Sequence, residues 1–120
     1  MVDQRFSRVH RLRLQTDFDR VYQQDAYLAD HVLVVHGCRN GLAISRLGLS
    51  VSRKVGGAVV RNGWKRRIRE AFRQHREHLP AGFDFVIRPR RGAVPDYPAI
   101  AASLPRLLNR LAGRLSQGAS

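Results

Sequence analysis

Apolar side chains recur along this chain at two spacings, and each spacing predicts its own kind of element. Phe18, Val21 and Tyr22 stand at i, i+3 and i+4, the mark of a short helix. Thr16 is placed to cap that helix, with Asp19 three residues on, and the pattern ends near Gln24. Val32-Leu33-Val34-Val35 is rich in β-branched residues and predicts a strand that stops at the turn signal Arg39-Asn40-Gly41. Leu47, Leu49 and Val51 then alternate with Gly48, Ser50 and Ser52, which predicts a half-buried strand running to about Arg53. Leu42 and Ile44 are out of phase with that set, so a bulge or the end of the turn is expected near Ser45-Arg46.

The longest periodic stretch follows Gly56-Gly57 and is closed by Pro80 and Gly82. At about 100° per residue, Trp64, Ile68, Ala71, Phe72, His75 and Leu79 fall on one narrow arc. Lys65, Arg66, Arg69, Arg73 and Arg76 occupy the adjoining arc with Asn62 among them, and Glu70 and Glu77 lie off it. Phe83 to Ile87 predicts a third strand with a basic exit through Arg88, Arg90 and Arg91. Ile100, Leu104, Leu107, Leu108 and Leu111 form the face of a last helix, which Asp96 can cap. Pro105 inside that pattern is expected to kink the helix or restart it, with Ser103 as a new cap. The order α, β, β, α, β, α describes one small α+β domain, a sheet of three to four strands packed with helices. Residues 1–15 read as a basic N-terminal arm, 16–115 as the single α+β domain, and 116–120 as a frayed end.

Charge narrows what such a domain can do. In 120 residues, 22 lysines and arginines face 9 acids, a formal net charge of +13. Self-repulsion of that size is relieved by a polyanion, and all but two of the cations are arginine, which forks onto phosphates and stacks on bases. The single Cys38 excludes an internal disulfide, no apolar run approaches the ~20 residues of a membrane span, and Met1 to Arg5 has no signal-peptide core. The expectation is a soluble cytoplasmic protein. Membrane-surface binding is disfavoured because a folded domain would bury the narrow apolar arc of the central helix.

Catalytic chemistry in the chain itself is also disfavoured. The nine acids are scattered over different elements, so no carboxylate cluster suits Mg²⁺; no four-ligand zinc spacing appears; Gly56-Gly57 is turn chemistry rather than a phosphate loop. No catalytic or metal-binding residue is assigned.

Two segments in sequence carry a more specific signal. Arg46-Leu47-Gly48-Leu49-Ser50-Val51-Ser52-Arg53-Lys54-Val55-Gly56 runs directly into Ala58-Val59-Val60-Arg61-Asn62, Lys65-Arg66 and Arg69-Glu70-Ala71-Phe72-Arg73. Together they resemble the strand, loop and Arg-Asn-Arg helix of the bacterial ribonuclease P protein family, with weaker similarity reaching from Arg11 to about residue 93. The resemblance implies the ribosomal protein S5 domain 2-like fold, with a left-handed β-α-β crossover in place of the usual right-handed one. It implies a protein that binds the catalytic RNA of ribonuclease P and the 5′ leader of precursor tRNA. In that family the RNA and its Mg²⁺ hydrolyse the phosphodiester. Carried over by position, Arg61, Asn62, Lys65, Arg66, Arg69 and Arg73 face the catalytic RNA, joined by Arg53 and Lys54 of the preceding loop. Phe18 and Tyr22 line the leader cleft. Three positions depart from the pattern: Gly63 replaces the second arginine of the motif, Trp64 an aliphatic, and Val35 an aromatic. The alternative is a ribosomal or other structural RNA-binding protein of similar fold with no processing role.

Overall fold

The computed structural model describes residues 8–117. Three helices, α1 (Gln15–Gln23), α2 (Ala58–His75) and α3 (Tyr97–Gln117), accompany four strands, β1 (Tyr27–Ala29), β2 (Leu33–Arg39), β3 (Arg46–Leu49) and β4 (Phe83–Pro89). The strands form one mixed sheet in the order β1-β2-β4-β3. β1 pairs antiparallel with β2 and β2 with β4, whereas β3 lies parallel to β4. The parallel neighbours β3 and β4 are joined through α2, as the β-α-β expectation requires.

Side chains alternate across a strand, and this alternation divides the core. Leu33 and Val35 of β2, with Phe83, Phe85 and Ile87 of β4, meet Trp64, Ile68 and Phe72 of α2 and the leucines of α3 in the main cluster. The opposite face carries Cys38 and Val86, which pack with Leu12, Val21 and Phe18 in a smaller cluster beneath α1. Trp64 and Phe72 are at most 1% exposed, and fully burying an aromatic of this size is worth about 3 kcal/mol. α1 has nine residues and covers only part of its face: beside it, among the described residues, Tyr22 and Tyr27 are exposed and His36 is half-buried, which leaves an open trough on the sheet.

Several local expectations are corrected. The first helix starts at Gln15 with Leu14 at the cap position, so Thr16 lies inside the first turn and caps nothing. The strand expected to reach Arg53 stops at Leu49, because Arg53–Val55 closes a 3-10 turn ahead of α2. Its start at Arg46 places Ser45 at the end of the turn: the Ser45 hydroxyl donates to the Pro80 carbonyl and accepts from the Phe83 N–H. Asp96 does cap α3, accepting from the Ala99 N–H at 3.1 Å. Pro105 does not restart α3, which runs through it. Ser103 is buried and donates to the Asp30 carboxylate instead of capping, while Leu104, Leu107, Leu108 and Leu111 hold the helix on the core. β1 has no counterpart among the predicted strands; it is three residues long and enters from Asp25, whose φ of 52° is left-handed.

The expected N-terminal arm is partly docked. Residues 1–7, Arg5 among them, lie outside the described residues, as do 118–120 of the expected frayed end. From Arg8 onward the chain packs along β3. Arg11 bridges to Leu47, the Leu12 N–H donates to the Leu47 carbonyl at 2.9 Å, and the Leu12 side chain is buried.

Candidate nucleic-acid interface

Two surfaces can take a polyanion, one on each side of the sheet. The first is the outer arc of α2. Its inner arc is committed to the core, which turns the remaining positions outward. Asn62 and Arg66 are exposed there, and Arg61, Lys65 and Arg69 are half-buried. Arg61, Lys65, Arg66 and Arg69 make no ion pair among the described residues. Burial pushes the Arg69 guanidinium down from its ordinary pKa, and the like charge of Arg11 adds to the effect. Two like charges held near each other repel, and a phosphate beside Arg69 would relieve that repulsion. Arg73 differs. Its guanidinium forks onto both carboxylate oxygens of Glu70 one turn back, so the row is less single-signed than a wheel projection suggests. The i, i+3 spacing lets the arginine side chain reach across to the next arc.

Gly63 and Trp64, the two departures in the motif helix, lie away from this arc. Trp64 is fully buried in the main cluster. Gly63 is buried beneath the Arg67 guanidinium, and a Cβ there would meet Arg67 Nη1 at 2.7 Å.

The second surface is the open trough beside α1. Tyr22 is 38% exposed and packs edge-on against His36 of β2, ring centroids 4.9 Å apart. Phe18 sits deeper, over Gly48, where a Cβ would come within 2.8 Å of Phe18 Cζ; glycine is required for this ring to lie on the strand. The Val35 departure is resolved by register. Val35 is fully buried on the far face, and the ring presented to the trough at this level of the strand is His36. Burial pushes the His36 pKa below the ordinary histidine value, the Arg88 charge adds to this, and Asp25 opposes it. The ring is therefore a neutral aromatic at pH 7.

Where the parallel strands β3 and β4 end, a cleft of 790 Å³ is lined by Ser50, Ser52, Lys54, Arg88, Arg90 and Arg91 among others. Lys54 thus contributes to a cationic cleft, and Arg53 is exposed on the turn beside it.

One structural device was not visible in the sequence. Asp84 of β4 is fully buried on the trough face and accepts from Arg46 Nε at 2.9 Å, Arg46 Nη2 at 2.7 Å and Asn40 Nδ2 at 2.9 Å. Arg20 of α1 completes the set by donating to the same carboxylate, and its other terminal nitrogen donates to Cys38 Sγ at 3.1 Å. Burial alone would raise the Asp84 pKa; the bonds from Arg46, Asn40 and Arg20 outweigh it and hold the carboxylate below its usual range. This clasp ties α1 to the sheet and so sets where Phe18 and Tyr22 stand. Burial pushes the Cys38 thiol up, which suits a packing group rather than a nucleophile. Alternation along Phe83 to Ile87 would have flagged Asp84 as the polar member of a buried strand, but not its partners from three other elements.

Comparison with known proteins gives the family. A family profile described as Ribonuclease P matches residues 6–112. The chain is 40% identical over 113 residues to the ribonuclease P protein component of Thermotoga petrophila, covering 90% of this chain and 97% of the relative. It is 39% identical over 97 residues to that of Lachnoclostridium phytofermentans, covering 80% and 84%. Among solved structures it is similar to the Staphylococcus aureus RNase P protein, with a TM-score of 0.75, 36% identity and coverage of 84% of this chain and 94% of the other. The Thermotoga maritima RNase P protein gives a TM-score of 0.75 at 37% identity, covering 83% and 96%. The chain belongs to the ribonuclease P protein family.

Proposed function

We propose that this chain works as the protein subunit of ribonuclease P by dividing two RNA-binding tasks between the two sides of its sheet. The catalytic RNA docks on the outer arc of α2, through Arg61, Asn62, Lys65, Arg66 and Arg69, with Arg11 alongside. The 5′ leader of precursor tRNA enters the trough beside α1, where Tyr22 offers a ring for stacking and Phe18 supports the floor. Arg53 and Lys54, with the cleft cations Arg88, Arg90 and Arg91, neutralise phosphates between the two. Arg73 takes part only after exchanging Glu70 for a phosphate.

The observation that supports this most is the pairing of an unneutralised guanidinium arc with an aromatic trough that α1 leaves uncovered. Phosphate contacts supply affinity without sequence preference, and stacking is worth about 1–3 kcal/mol per base on any base. Such a division would let one protein hold a particular RNA partner and still accept leaders of any sequence.

Among the described residues no three His, Cys, Asp or Glu side chains converge, and two acids that share partners, Asp17 and Asp84, are engaged by Arg20 and Arg46. These residues do not fit a Mg²⁺ site, so we assign the Mg²⁺ of the reaction to the RNA partner and no chemical step to this chain. No helix among the described residues is long and apolar enough to cross a membrane. We place the protein in the cytoplasm with its tRNA substrates.

Adding the protein to a bacterial ribonuclease P RNA at low Mg²⁺ tests this reading. Cleavage of precursor tRNA should become detectable or markedly faster, and Tyr22→Ala should weaken binding of precursor while sparing mature tRNA. Equal loss for both RNAs would remove the leader from the trough.

A further inference from the structure

The aromatic surface of the trough does not end at His36. Tyr27 of the edge strand β1 lies directly opposite His36 in the antiparallel register, so both side chains rise from the same face of the sheet. Their ring centroids are 5.6 Å apart at an interplanar angle of 34°. Tyr22, His36 and Tyr27 therefore form a continuous row of three rings contributed by α1, β2 and β1. Tyr27 is 56% exposed, the most open of the protein's exposed tyrosines, at the outer end of that row.

An exposed tyrosine on an edge strand often does no more than cover its neighbour. Here the setting differs, because the central ring already joins Tyr27 to the surface on which the leader is proposed to stack. The next residue pairs along the same face bring Ala29 opposite Val34 and Val34 opposite Arg88, so a small side chain and an exposed cation follow the rings across the sheet. Asp25, just before β1, is the acid whose charge acts on His36, and a negative charge there disfavours a phosphate at that end. Bases toward the rings and phosphates toward Arg88 is the polarity this arrangement favours.

We infer that Tyr27 is an additional stacking site for a single-stranded nucleobase, one that extends the leader track outward from Tyr22 across His36 to the edge of the sheet. This rests on the leader reading given above. The occupant is a leader base farther from the cleavage site than the one at Tyr22, and stacking on the Tyr27 ring accepts any base. The step adds affinity for long leaders and leaves short ones unaffected.

The test uses the holoenzyme assembled with a bacterial ribonuclease P RNA and a series of precursor tRNAs whose leaders grow one nucleotide at a time. Tyr27→Ala should leave affinity unchanged for the shortest leaders and for mature tRNA, then lower it about five- to tenfold once the leader is long enough to reach the edge strand. Tyr27→Phe should stay within about twofold of wild type at every length, because stacking needs the ring and not the hydroxyl. Tyr27→Thr keeps β-propensity without a ring and should reproduce the alanine result, which separates lost stacking from a disturbed β1. A loss independent of leader length, or no loss at the longest leader, would overturn the proposal. Tyr22→Ala measured in parallel distinguishes the two levels. If Tyr22→Ala shows leader-dependent loss and Tyr27→Ala does not, only the extension fails; if neither does, the leader reading fails and takes the extension with it.

Discussion

Replacing Asp84 with asparagine tests the clasp that fixes α1 on the sheet. Asparagine matches aspartate in size, so packing is preserved and the change is electrostatic. The wild-type carboxylate accepts four hydrogen bonds, two from the Arg46 fork, one from Asn40 and one from Arg20. An amide in its place turns an NH₂ toward one set of these donors and leaves two guanidiniums without their buried counter-charge. Breaking a buried ion pair by removing one partner costs about 3–5 kcal/mol. The arginine side chains are 37% and 25% exposed and Asp17 remains within 3.5 Å of one and 3.8 Å of the other, so water and the second acid absorb part of the cost. Asp84→Asn should therefore lose about 3 kcal/mol at pH 7, the lower end of that range. In urea denaturation, with a slope of about 1.5 kcal/mol/M for a small domain, the midpoint would fall by about 2 M. Arg20→Ala cuts only the α1 strand of the clasp and leaves Asp84 paired with Arg46 and Asn40, so it should cost about 1 kcal/mol. It should nevertheless reduce discrimination between precursor and mature tRNA, because Tyr22 loses its fixed position. A loss below 1 kcal/mol for Asp84→Asn, or equal losses for the two variants, would refute this account of the clasp.

Three further outcomes are expected. Asp30 joins the turn after β1 to α3: burial would raise its pKa, but bonds from Ser103, the Leu33 and Val32 N–H groups and Arg106 bring it from 3.8 down to about 2. A carboxylate with a depressed folded pKa stabilises above its unfolded value, so about 2 kcal/mol should be present above pH 4 and vanish as pH falls from 3.8 toward 2. Thermal melts of Asp30→Asn should lack that acid-dependent drop, and an unchanged drop would contradict the assignment. Gly48→Ala puts a methyl 2.8 Å from Phe18 Cζ and should cost about 1–3 kcal/mol by displacing the ring, read as a lower melting temperature; an unshifted melt would mean that Phe18 yields freely. Affinity for the catalytic RNA should fall with a log–log salt slope of several units, and Arg69→Ala should lower that slope by about one contact. A slope unchanged by the substitution would place Arg69 off the phosphate path.

Periodicity and charge were enough to determine much of this protein. The apolar arc from Trp64 to Phe72 has one place to go in a small domain, and burying it turns Lys65, Arg66 and Arg69 outward. A net charge of +13 then requires an anionic partner. The strand, loop and helix motif made that partner specific, because its residues are consecutive in the chain and their spacing survives folding. What depends on contacts between distant segments was decided by the tertiary structure alone. The Asp84 clasp draws on residues 20, 40, 46 and 84, and no local pattern reports that four elements meet at one carboxylate. The register of β1 on β2 is of the same kind. A one-residue slip would send Tyr27 to the other face, and only the pairing with His36 makes three separated rings into one surface. Val35 shows the limit most directly: one position along a strand separates the core from the trough, and the hydrophobic run Val32 to Val35 carries no mark of which side is which. Pro105 shows the same limit in a helix, where the local rule against proline is overridden by four leucines whose burial only the assembled sheet provides.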